Sequence, residues 1–131
     1  MAMEVLQYGP GAVVAASAGT TTVIVGEVPA HESQAAYTLE RVSFTSQTLI
    51  TGNGLATINI RQMRAGSQVS ASIASLLLAT GVNLPAEQSV SIPVTVGSET
   101  LLAGDILECT YVQTSTGLAL TIGWRVACEI D

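Results

Sequence analysis

The chain has 131 residues, of which 48% are hydrophobic, 4% aromatic and only 11% charged. Ten acidic residues and four arginines, with no lysine, give a formal net charge of −6. This balance argues against binding to nucleic acid or to an anionic membrane surface, because both need clustered basic groups. The length suits one domain, and the low charge predicts a surface that is covered by other subunits.

The first 19 residues predict an N-terminal arm, because Gly9-Pro10-Gly11 interrupts any regular element. Two interpretations of residues 1–19 stay open, a disordered terminus and an arm that reaches a neighbouring subunit. From Thr20 the chain alternates short apolar runs with turn residues roughly every 8–12 positions, as in a sandwich or barrel. We therefore expect a single β-sandwich domain over residues 20–131.

Two-residue alternation of apolar and polar side chains predicts most of the strands. The predicted strands cover 22–28, 37–45, 56–62, 89–96, 106–113 and 121–130. Residues 68–79 fit a helix or a strand, and the neighbouring strands favour a strand. Asn53-Gly54 and Gly97-Ser98 suit hairpin turns, and Pro93 predicts a sheet edge or a bulge.

About eight strands are predicted, and there is no room for the helical crossovers that parallel sheets need. The fold class is therefore all-β, an antiparallel two-sheet β-sandwich, with the jelly roll as the leading topology. In the last strand, Ile122, Trp124, Val126, Cys128 and Ile130 share the inward face. Trp124 is expected in the core instead of at an interface.

The two cysteines, Cys109 and Cys128, both fall on inward faces, which predicts buried reduced thiols. A disulfide between them is the less favoured alternative, because two cysteines are too few for a disulfide scaffold. The apolar stretch 12–18 has no positively charged segment before it, so we expect the chain to be made and used without secretion. A protein that stays in the cytosol keeps its thiols reduced.

The candidates for chemistry are few. His31 lies in a polar stretch and is expected to be an exposed loop residue, since nothing places it beside a serine and an acid. One histidine and two distant cysteines do not make a four-ligand zinc site. We therefore predict no catalytic, metal-binding or cofactor-binding residues, and a protein that is not an enzyme.

Two pairs of charged residues lie close in sequence. Asp105 and Glu108 offer two carboxyl groups, as a glycosidase needs, but Asp105 is expected to shape a turn. Arg61 and Arg64 flank the predicted turn at 64–67. They are consistent with either an anion site or salt bridges to a neighbouring subunit.

A series of turn and strand-end motifs resembles small structural proteins of tailed bacteriophages, in particular capsid decoration (cement or head-fibre-base) proteins. The motifs, in order, are Ile50-Thr51-Gly52, Gln68-Val69-x-Ala71-Ser72, Gly81-Val82-Asn83-x-Pro85-Ala86, Leu102-Ala103-Gly104-Asp105-x-Leu107 and Thr114-x-Thr116-Gly117-Leu118-Ala119. The similarity covers about residues 42–131, and residues 1–40 match less well.

This resemblance implies a virion structural protein, made in the host cytoplasm, that sits on the capsid exterior. It implies a homotrimer that binds and stabilises major capsid protein subunits, with no catalytic residues. The loops 46–55, 80–88 and 97–105 are predicted to lie at one sandwich end and to make contacts. A tail or fibre module of a virion is the alternative, followed by a carbohydrate-binding module and, last, a small hydrolase that uses His31.

Overall fold

The computed structural model describes residues 3–95 and 100–131, and the regular structure in them consists of β-strands. In spatial order, the first sheet contains β1 (Glu4–Tyr8), β10 (Arg125–Ile130), β4 (Leu39–Thr45) and β7 (Ser89–Ile92). The second sheet contains β2 (Gly19–Glu27), β9 (Ile106–Gln113), β5 (Ala56–Arg64) and β6 (Ser67–Leu77). A two-stranded sheet pairs β3 (Ala36–Tyr37) with β8 (Leu101–Leu102).

All the strand pairings within these sheets are antiparallel, which confirms the predicted all-β sandwich. The longer strands change sheet at every connection except the one between β5 and β6. That hairpin turns at Ala65 and Gly66, both with positive φ, where the sequence predicts a turn. The strand interpretation of residues 68–79 is also confirmed, because β6 covers most of them.

The predicted hairpin at Asn53-Gly54 is wrong. Gly54 has the expected positive φ of 80°, but the strands on either side, β4 and β5, lie in different sheets. The reason is that both strands have a fully buried apolar face, with Phe44 on β4 and Ile58 on β5 each 0% exposed. The apolar faces of β4 and β5 bury each other when the two strands belong to sheets that pack face to face across the core.

The core is built mainly from aliphatic side chains of both sheets around one aromatic pair. Trp124, which is 2% exposed, stacks on Phe44 with ring centroids 5.6 Å apart. Trp124 is therefore a core residue, as predicted. Ile122 is not, since 66% of it is exposed. Gly123, with φ of 97°, turns the chain between them, so the inward alternation begins only at Trp124.

The predicted arm is wrong for residues 4–8, which form β1 and pair with β10 of the same chain. Two of its side chains explain the pairing. Tyr8 packs on Trp124 with ring centroids 5.2 Å apart, and Leu6 lies against Gly26 of β2. Val14 also pairs with Leu120, so the early segment belongs to the sandwich instead of forming a separate region before residue 20.

The strand predicted over 89–96 is shorter in the structure. β7 ends at Ile92, directly before Pro93, and lies at the edge of its sheet, as the proline predicts. The chain then crosses to the other sheet, where Val94 pairs with Ala74 of β6. The predicted turn at Gly97-Ser98 lies outside the described residues.

Candidate interaction surface

Four loops meet at one end of the sandwich, which we call the loop end: residues 9–18, 46–55, 78–88 and 114–124. The antiparallel register requires this. The last residues of β1 and β4 and the first residue of β7 lie beside the start of β10, because Tyr8 pairs with Val126, and Thr45 pairs with both Arg125 and Ser89. Isolated pairings then join the loops, such as Ile50 with Leu84. The predicted contact loops 46–55 and 80–88 therefore do lie together.

The third predicted contact loop, 97–105, does not belong to this group. Its described part, residues 100–105, lies at the opposite end of the sandwich, where the Val28 amide donates to the Asp105 carbonyl at 2.8 Å. The reason is topological, since this loop leads into β9, and the first residue of β9, Ile106, pairs with Glu27 at the far end of β2.

Side-chain hydrogen bonds fix the loop end internally. The buried amide of Gln113 donates to the Ala15 carbonyl at 3.0 Å and accepts from the Leu118 amide at 2.8 Å. The Tyr111 hydroxyl donates to the Leu118 carbonyl at 2.6 Å, and Asn53 donates to the Gly117 carbonyl at 3.2 Å. These hydrogen bonds tie the loops 9–18, 46–55 and 114–124 to β9 and to one another.

The loop end is nearly free of charge. Of the ten acidic residues and four arginines in the chain, only Glu87 lies in its four loops. It also exposes three large aliphatic side chains, since Val13, Leu49 and Ile122 are 66%, 61% and 66% exposed. Single exposed aliphatic residues are ordinary on protein surfaces, so what distinguishes this end is that they occur where charge is scarce.

These three side chains belong to loops that touch one another. The hydroxyls of Thr48 and Thr121 lie 2.9 Å apart, so the residues that follow them, Leu49 and Ile122, are on adjoining loop segments. Val13 directly precedes Val14, which pairs with Leu120 on the same segment as Ile122. Val13, Leu49 and Ile122 therefore lie on loop segments that contact one another.

Charged residues concentrate elsewhere, and a buried carboxylate organises the opposite end. Asp105 is 1% exposed. Its two oxygens accept from the guanidinium of Arg64 at 2.8 Å each, and Oδ2 also accepts from the Gln62 side chain at 2.8 Å and from the Leu102 amide at 2.9 Å. The Arg64 hydrogen bonds, helped by those of Leu102 and Gln62, lower the pKa of Asp105 to about 2 against the opposing effect of burial.

Asp105 thus shapes its turn through the Leu102 amide, as predicted, but its bond to Gln62 has no local sequence signal. Arg61 pairs with Glu108 at 2.7 Å. Both arginines that were candidates for an anion site or for salt bridges to a neighbour are therefore engaged by acids of their own chain. The ion pairs that the structure shows for Arg61 and Arg64 thus lie within the chain.

His31 is exposed, and its nearest polar contacts are local. Its Nδ1 accepts from the Ser33 amide at 3.2 Å and lies 3.0 Å from the Ser33 hydroxyl. This arrangement closes a tight turn. Over residues 3–95 and 100–131, no three side chains of His, Cys, Asp or Glu come together in a way that would hold a metal ion.

Cys109 and Cys128 are free, buried thiols, as expected. They lie on β9 and β10, one in each sheet. Burial raises the pKa of each thiol to about 12, and for Cys128 the neighbouring Cys109 adds to the effect. Thiolate is the reactive form of cysteine, so both groups serve as small apolar core residues.

No protein-family model and no curated protein sequence matches this chain. Among the described residues there is also no helix of sufficient length and apolar character to traverse a lipid bilayer.

Proposed function

We propose that this protein is a non-enzymatic structural subunit of a virion, which decorates a phage capsid and stabilises it by binding major capsid subunits through the loop end. The observation that carries the proposal is the surface chemistry of that end. Three exposed aliphatic side chains, Val13, Leu49 and Ile122, lie among loops that hold a single charged residue. Desolvating such a surface costs little, because few charges lose their water.

The braced loops favour this role energetically. Association loses free energy when loops and side chains have to be ordered at the interface. The hydrogen bonds of Gln113, Tyr111 and Asn53 have ordered the loop end already. A subunit that binds only the assembled shell then stabilises it by mass action, and many copies multiply a modest interface.

The strand order supports a jelly-roll interpretation of the fold. With the two-residue strands set aside, the eight longer strands numbered along the chain follow the order 1-8-3-6 in one sheet and 2-7-4-5 in the other. Two interlocked Greek keys of this kind are a jelly roll, which is common in viral capsid and lectin domains. We propose this topology together with the placement on the capsid exterior and synthesis in the host cytoplasm.

A homotrimer is part of the proposal, supported by the weakly charged surface, since a subunit that buries part of its exterior against copies of itself needs less charge to remain dispersed. The mass in solution tests it directly by light scattering after size exclusion. A trimeric mass supports the assembly. A monomeric mass at protein concentrations of tens of micromolar contradicts the trimer. Shell binding is then decided by its own test.

A tail or fibre module is the alternative with the same physical basis, and the position of the labelled protein on particles in electron micrographs separates the two. A carbohydrate-binding module is a weaker candidate, because such a site uses exposed rings. Tyr37, Tyr111 and Trp124 are each no more than 2% exposed, and Tyr8 packs on Trp124.

Sedimentation with empty tailed-phage shells tests the capsid role. The purified protein is mixed at increasing concentration with shells that lack decoration, and the bound fraction is measured in the pellet. We expect saturable binding with a fixed number of copies per shell and a raised shell melting temperature. Binding that never saturates, or none to any shell, contradicts the proposal.

A further inference from the structure

The outward side of the first sheet carries a shallow groove, which adjoins the loop end at Gly9. Successive rows of paired residues cross its strands, first Gln7, Ala127, Ser43 and Ser91, then Arg125, Thr45 and Ser89. Two adjoining compartments of about 470 and 230 Å³ share four of these residues. The side chains along its floor are short, which leaves space above the strands for an extended chain.

One basic residue in this groove has no acidic partner. Arg41, Arg61 and Arg64 each form an ion pair with an acid of the chain, whereas Arg125 forms none with any acidic residue among those described. Glu129, on the same side of β10, is four residues further along, or about 13 Å. It is already paired with Arg41, and 13 Å exceeds the screening length of about 8 Å at physiological ionic strength.

Arg125 is also held in place at the groove. Its stem runs across the backbone of Gly9, so close that a Cβ on Gly9 would lie 2.7 Å from the Arg125 Cγ. Beside it, the hydroxyls of Thr45 and Ser89 lie 3.2 Å apart across neighbouring strands. One guanidinium with neutral hydroxyl donors matches the charge and planar shape of a single carboxylate.

We propose that this groove binds an extended polypeptide segment of a partner protein, with an acidic side chain of that segment seated against Arg125 between Thr45 and Ser89. A polypeptide is favoured over an acidic saccharide because Tyr8 is the only ring that lines either compartment, and it packs on Trp124. The inference rests on the proposed function in one respect, that the partner is a protein.

Nuclear magnetic resonance of the nitrogen-15-labelled protein tests the groove directly. The probes are the blocked peptide acetyl-Ser-Ala-Glu-Ala-Ser-amide, the same peptide with glutamine for glutamate, sodium glucuronate and inorganic phosphate. We expect saturable shifts at Ser43, Thr45, Ser89 and the Arg125 Nε–H with the acidic peptide. Affinity should fall about fivefold with the glutamine peptide, as expected for loss of a half-exposed ion pair.

The matched variants are R125Q and R61Q, the latter on the outer side of the other sheet. R125Q should lower the affinity for the acidic peptide to that measured with the glutamine peptide. R61Q should leave the affinity for the acidic peptide unchanged. Equal binding of both peptides, stronger binding of glucuronate or phosphate, or no saturable shift each overturns the inference. If the protein sediments with shells but fails this titration, only the groove inference is lost; the reverse result removes only the capsid role.

Discussion

The indole of Trp124 lies directly against the backbone of Gly11: a Cβ built on Gly11 would be 2.2 Å from Cε2 of the indole. The Trp124 Nε1 donates to the Ala12 carbonyl at 2.7 Å, so a hydrogen bond as well as packing holds the ring against this loop. The backbone of residues 11–12 thus serves as one wall of the core, and this close approach explains a glycine in that position.

The substitution G11A should therefore destabilise the fold. The added methyl group has no free space, and overpacking of this kind costs about 1–3 kcal/mol in the free energy of unfolding. Urea denaturation followed by Trp124 fluorescence measures it. The control is G26A, where the new Cβ meets the Leu6 Cβ at 3.0 Å, a much milder approach than 2.2 Å, so a smaller loss is expected. Equal losses in the two variants would contradict the account of the Trp124 wall.

Asp105 should make stability depend on acid. Its pKa in the folded protein is about 2, against 3.8 for an ordinary aspartate, so its contribution is complete above pH 4 and is lost as the pH falls from 4 toward 2. The shift corresponds to about 2 kcal/mol. Urea unfolding at several pH values should show that the native chain is more stable than D105N at neutral pH, and that this difference in unfolding free energy closes by about pH 2.

The exchange R41Q, at an exposed ion pair, is the control and should show no such pH-dependent difference from the native chain. A difference that is constant with pH would rule out the ionic role of Asp105.

The two buried thiols should resist modification in the folded protein. Burial raises the pKa of each to about 12, and the reagent cannot reach them without opening of the sandwich. Colorimetric thiol labelling at pH 8 should give almost no reaction in buffer and two thiols per chain in denaturant. A T22C variant, with its new thiol on the exposed side of β2, should label at once. Rapid labelling of the unmodified protein in buffer would show that the core opens readily.

The first strand should contribute to stability as a part of the sandwich. The double substitution L6A/Y8A removes the two side chains that pack on Gly26 and Trp124, and a loss of about 2–4 kcal/mol is expected for partly buried large side chains. The double substitution V5A/Q7A on the outward side of the same strand is the control. Thermal unfolding should show a clearly lower melting temperature for L6A/Y8A than for V5A/Q7A. Similar melting temperatures for both would mean that residues 4–8 behave as a loose arm after all.

Regular strands could be predicted from the sequence where their alternation was complete. β9 runs from Ile106 to Gln113 as predicted, because each second side chain faces the core. The first strand was missed because its signal is short and Gly9-Pro10-Gly11 follows it at once, which indicated an arm. The last strand was predicted to begin too early, at residue 121, because Ile122 fits the alternation. Gly123 turns the chain just before the strand begins, so Ile122 does not share its inward face.

The candidate surfaces were harder to predict, because they depend on partners that are distant in sequence. Asp105 lies 41 residues from Arg64 and 43 from Gln62, so no local pattern indicates their cluster. The loop end depends on the strand order, which determines that 46–55 and 78–88 share an end and 100–105 does not. The sequence does show how little charge the four loops carry, since Glu87 is their single charged residue.

The proposed role of the loop end as the docking surface is tested most directly by one comparison of shell binding. The triple variant V13S/L49S/I122S should bind empty shells roughly a hundredfold more weakly than the native chain, since three aliphatic anchors contribute about 1 kcal/mol each. The control, M3S/I24S/L102S, removes three other exposed aliphatic side chains, none of which lies in the four loops of the loop end, and should bind as the native chain does. If the control loses binding and the triple variant keeps it, the loop end is not the contact surface.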